Sequence, residues 1–81
     1  MAEGNKIIQH DDIVFFDIDE NGFEIGMIFR IDARGNGVSD PGWCEIKQPS
    51  GRHRERNYKH DLEKGKMSIA DDTMLFDVLK K

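Results

Sequence analysis

The chain has 81 residues, 37% of them hydrophobic and 35% charged, with one cysteine and a formal net charge of −4. That length supports one small domain near the lower limit for a self-sufficient core, and a single cysteine excludes an intrachain disulfide, so stability has to come from packing, alone or with self-association. No apolar run is long enough to span a bilayer and no basic-then-apolar leader is seen, which leaves no membrane role and the cytoplasm as the expected compartment.

Residues 1–11 read as a loose tail pinned at Ile7-Ile8, and residues 12–81 as a single small β domain. The first predicted strand runs from Ile13 to about Asp19. Its apolar run Ile13-Val14-Phe15-Phe16 implies partial burial of both faces, and the run leaves open which residues alternate inward. The stretch 17-DIDENGFEI-25 then admits two readings. Asp17, Asp19, Asn21 and Gly22 fall where an EF-hand loop places its first ligands and its glycine. The twelfth position, which must be a bidentate glutamate, is Ile28, and both flanks are rich in β-formers where an EF-hand has helices. A hairpin with a type I′ turn at Asn21-Gly22 accounts for the same residues.

The second strand extends from Phe23 to about Asp32, with Gly26 marking a bulge or sharp bend. The segment 33-ARGNGVSDPG-42 reads as a long, mobile loop. Trp43 to Lys47 form a third strand, in which Cys44 points inward and Trp43 reads as a packing centre of a small core. The turn 48-QPSG-51 leads to a fourth strand, Arg52 to Tyr58, so polar that it must lie at an edge or fill its inner positions with arginine stems. Beyond it, Ser68 with Asp71 and Asp72 resembles a helix start. Ile69, Leu75, Phe76 and Leu79 share a helical face, while Thr73 to Leu79 also fit a fifth strand.

Taken together, these elements predict a mainly β fold: a small curled antiparallel sheet or SH3-like barrel of four to five strands, with a short C-terminal helix as an option. Ile13-Val14-Phe15-Phe16, Gly26 to Ile31 and Gly42-Trp43-Cys44-Glu45-Ile46 resemble the opening strands of SH3-like barrels of the Tudor or KOW kind. Ser50-Gly51-Arg52 and Asp61-Leu62 are similar in placement, and the resemblance covers about residues 12–63. It implies a binding module. The chain departs from methyl-reading Tudor modules, because Phe15 or Phe16, Trp43 and Tyr58 are too few for an aromatic cage.

Charge is unevenly spread. Residues 1–51 hold ten acidic and four basic side chains, whereas residues 52–66 hold six basic and three acidic. Within 52-RHRERNYKH-60, Arg52, Arg54 and Arg56 project from one face of a strand and His53 and Glu55 from the other. Arg52, Arg54, Arg56, Tyr58 and Lys59, with Trp43 nearby, are therefore the candidate binding residues. The favoured partner is an acidic protein surface met by the second hairpin, and the alternative is a nucleic acid, with Tyr58 stacking on a base. A solvated edge strand protected by charge explains the same run. His10, His53, His60 and Cys44 lack paired metal-ligand spacing, and no nucleophile–base pattern is present. The expectation is a regulatory accessory protein without cofactor or catalytic residues.

Overall fold

The structure, a computed structural model, describes residues 7–70. Its strands are β1 (Ile13–Asp19), β2 (Gly22–Arg34), β3 (Val38–Lys47), β4 (His53–Asn57) and β5 (Met67–Ile69), with the helix α1 (Tyr58–Lys64) between the last two. They form one antiparallel sheet in the order β4-β3-β2-β1-β5. Four strands thus meander by tight turns, and the fifth returns to the free side of the first. The mainly β expectation holds, with five strands among the described residues.

The inner face is set by alternation. Val14 and Phe16 on β1, Ile28 on β2, and Cys44 and Ile46 on β3 are all buried, joined by Tyr58, Met67 and Ile8. Burying side chains of the size of Phe16 and Ile28 contributes about 1.5–3 kcal/mol each. Ile8 pins the N-terminal segment, whereas Ile7 is 60% exposed. The pin is completed by two backbone bonds, from Asp11 N–H to the Ile28 carbonyl and from Ile28 N–H to the Asp12 carbonyl. α1 packs against β3, β4 and β5, across the side of the core that the sheet leaves open.

Several local expectations are corrected. The first hairpin pairs Asp19 with Gly22, so its loop residues are Glu20 and Asn21. The left-handed backbone expected at Asn21 falls instead on Asp17, with φ 53°. The Asp19 carboxylate accepts from the Asn21 N–H at 2.7 Å, an Asx turn that replaces the type I′ geometry. Gly26 is no bulge, since it sits in regular register opposite Val14. A Cβ there would lie 2.4 Å from Ile46 Cγ2, so glycine is required by close packing.

The 33–42 segment is not an open loop. β2 continues to Arg34, a 3₁₀ turn spans Gly35–Gly37, and β3 begins at Val38. Its proline and glycines belong to a bulge, in which residues 40–43 of β3 stand opposite Asp32 alone. The fourth strand starts at His53 and ends at Asn57, where the Asn57 side chain caps α1 by accepting from the His60 N–H at 3.1 Å. Ser68 begins no helix: it pairs with Phe15 in β5. The expected helix or strand beyond it lies outside the described residues.

Candidate functional site

β4 is the end strand of the sheet, as its polar sequence requires, and Arg54 and Arg56 take the inner positions opposite Ile46 and Cys44. Their stems run over the buried Phe16 ring, with guanidinium carbons 6.0 and 5.4 Å from its centroid. Asp17 closes the arrangement. Its carboxylate accepts from Arg56 Nε and Nη2, both at 2.7 Å, and stands 3.7 Å from Arg54 Nη2. Arg54 also donates to Gln48 Oε1 at 3.3 Å.

Plain alternation after Phe16 would send Asp17 to the outer face. The extra residue between Phe16 and Asp19 re-aims it toward the arginines. The Arg56 hydrogen bonds and the charges of Arg56, Arg54 and Lys66 hold the Asp17 carboxyl below its ordinary pKa, and the same bond raises Arg56. Only 26% and 23% of the Arg54 and Arg56 side chains remain exposed. The three arginines therefore do not form one solvent-facing platform. Arg52 is the exposed member, ahead of β4 at the hairpin turn, with its N–H bonded to Ser50 Oγ.

Tyr58 is also withdrawn from the surface. It opens α1, is buried, and donates its hydroxyl to Asp32 Oδ1 at 2.7 Å. The same oxygen accepts from the Gly42 N–H at 2.9 Å, so one carboxylate ties the β3 bulge to the helix. Those two donors lower the Asp32 pKa, and burial, reinforced by Asp32, pushes the Tyr58 phenol up to about 12. Lys59 is exposed on α1.

Trp43 is not the packing centre of the core. It is half-buried on the outer face, with the Arg34 guanidinium 3.8 Å from its ring centroid. Around it runs a paired network. Glu45 meets Arg30 at 3.3 Å and His53 at 2.5 Å, while Glu55 meets Arg34 at 3.4 Å and the Gly35 N–H. Glu45 and Glu55 are directly opposed across the strands, and Arg30 and Arg34 offset their repulsion. The candidate residues thus divide between two faces of the sheet: Arg54 and Arg56 inside, Trp43 outside.

The structure also forms a surface that the sequence reading did not assemble. On the outer face, Ile13, Ile25 and Met27 meet Lys47, Gln48 and Pro49 around an open groove of about 370 Å³. Ile13, Met27, Lys47 and His53 follow one another in a single cross-strand row. Phe15 lies beside Ile25 in register and is covered edge-on by Phe23, itself half exposed, at 4.8 Å between centroids. The groove abuts the tip of the β3–β4 hairpin at 48–51, the second hairpin of the sequence reading. Its signal in the sequence was the failure of β1 and β2 to alternate: apolar residues occupy both faces, as in a sheet covered on both sides.

No family model matches the chain, and no curated protein or solved structure matches it.

Proposed function

We propose that the chain is a non-enzymatic interaction module of the SH3-like kind, which binds a protein partner through the tip of the second hairpin. The observation that carries this reading is the apolar groove between Ile13, Ile25, Met27 and Pro49, open on a face that a small antiparallel sheet ordinarily turns to water. The four-strand meander with its fifth strand returned beside the first supports the SH3-like part of the reading. Fold alone assigns no activity. None of the arginine row lines the groove: Arg52 is exposed at the hairpin turn, while Arg54 and Arg56 are engaged by Asp17. Direct nucleic-acid binding draws less support, because the buried Tyr58 has no ring face free for a base and two of its three arginines are already paired.

Photo-crosslinking tests the proposal. A benzophenone side chain placed at Lys47 should capture a discrete partner in extracts of the source cells, and the same group at Glu63 on α1 should not. Met27→Glu should remove the adduct while leaving the circular dichroism spectrum unchanged. Equal adducts from both positions, or none from Lys47, would refute the surface.

A further inference from the structure

The charges around the groove specify more than its apolar wall does. Lys47 follows Met27 in the cross-strand row and so stands one strand spacing, about 4.8 Å, from the apolar lining. Lys47 is the one charged residue of the lining, is exposed, and makes no ion pair among the described residues. None of the nearby carboxylates is paired with Lys47, although each keeps its charge. Asp12 accepts from the Gln9 N–H at 2.7 Å, and Glu24 from the Gln48 side chain at 2.9 Å. Glu45 lies between Arg30 and His53 with only 12% of its side chain exposed. Lys47 therefore sets one unpaired cation beside an apolar recess.

Gly26 closes the recess from below. Ile46 fills the space where its Cβ would stand, so the groove does not continue into the core. A bound side chain must then lie along the sheet surface, between β1–β2 and the hairpin tip, with its neighbours in sequence passing over Lys47.

We infer that the groove takes a short partner segment in which an apolar anchor is flanked by carboxylates, the anchor lying against Ile13, Ile25 and Met27 and a flanking Asp or Glu meeting Lys47. This rests on the proposed protein-binding role of the groove and adds the chemistry of the partner. The apolar contact supplies most of the affinity, and the Lys47 pair supplies selection for sign and a faster encounter.

The test uses the full chain, labelled with ¹⁵N, and synthetic peptides that share one Leu-Phe anchor but carry flanking Glu, Ser or Lys. Amide shifts at Ile13, Ile25, Met27 and Lys47 report binding. The Glu-flanked peptide should bind about fivefold more tightly than the Ser-flanked one, as an exposed ion pair allows, and Lys47→Glu should reverse the order. Equal affinities for all three overturn the inference and leave the groove as an apolar docking site. Absence of shifts with every peptide overturns the groove reading as well. Two other occupants have their own signatures, and either would overturn the partner segment. Shifts that grow with protein concentration alone indicate a second copy. A carbodiimide link within one chain from Lys47 to Asp71, Asp72 or Asp77 indicates residues 71–81.

Discussion

Asp17 reaches Arg56 because its backbone turns left-handed, at φ 53°, in the bulge between Phe16 and Asp19. The conformation is uncommon outside glycine, and aspartate is among the residues that tolerate it best. Its carboxyl is held low by Arg56, so its folded pKa lies below the ordinary value of 3.8. A carboxyl lowered on folding contributes stability above its ordinary pKa and loses it as the pH falls through the lower, folded value. Asp17→Asn should therefore cost about 1–3 kcal/mol at pH 7, typical of a hydrogen bond to a charged group. In urea titrations the gap from the parent should stay level down to about 3.8 and close below it. An equal gap at all pH values would show that shape, rather than charge, is what Asp17 supplies. Pairing of this kind was not legible in the sequence. Strict alternation separates Asp17 from Phe16 by a face, and only a bulge of unpredictable position reunites them. Tyr58 was misplaced for a related reason: its hydroxyl finds Asp32, a partner remote in sequence and itself left-handed.

At the scale of elements, the two hairpins were legible because Asn, Gly and Pro mark turns by mechanism. The turn at 48–51 closes as expected, with Gly51 N–H bonded to the Gln48 carbonyl at 2.8 Å. The same mechanism misled at 33–42, where glycine and proline serve a bulge inside a continuing ladder. α1 escaped notice because its seven residues are too few to show a period, and its evidence was confined to its caps, Asn57 and Gly65. β4 was read as lying at an edge or as filled by arginine stems; it is both, and its arginines are not the free platform expected, because Asp17 occupies them. Arg54→Glu now has a sharp expectation. It brings a second carboxylate to Asp17 and strips the stem from Phe16, so it should exceed the half kcal/mol typical of surface sites. A loss of about 1 kcal/mol would lower the melting temperature by about 4–8 °C in a domain of this size. Arg52→Glu, at the exposed turn, serves as the control and should melt with the parent. Coincident melting of all three proteins would return Arg54 to the solvent.

For the whole molecule, the two faces of one sheet divide the work. The inner face and α1 enclose the core, and Asp17 with the two arginines seals one flank of it with polar groups that satisfy one another. The outer face leaves Ile13, Ile25 and Met27 beside the unpaired Lys47 on a chain that is acidic overall. That contrast in sign is local, and on the proposed reading it favours an acidic partner segment at the hairpin tip. Whether such a patch existed was partly readable from the apolar character of both faces of β1. Its position was not, because it depends on the register that sets Lys47 opposite Met27.

Cys44 gives this architecture a built-in clock. The sulfur is fully buried on β3, and desolvation first, then the charge of Asp61, pushes its thiol up to about 12. A thiol-specific reagent needs both access and thiolate, and the folded protein denies it each. Alkylation should therefore be slow in buffer and fast in urea, one adduct per chain. Under an excess of reagent its rate becomes the rate at which β3 leaves the core. Arg54→Glu should quicken that rate, whereas Met27→Glu, on the other face, should leave it nearly unchanged. Rapid labelling of the native parent would mean that β3 opens locally, without the rest of the sheet.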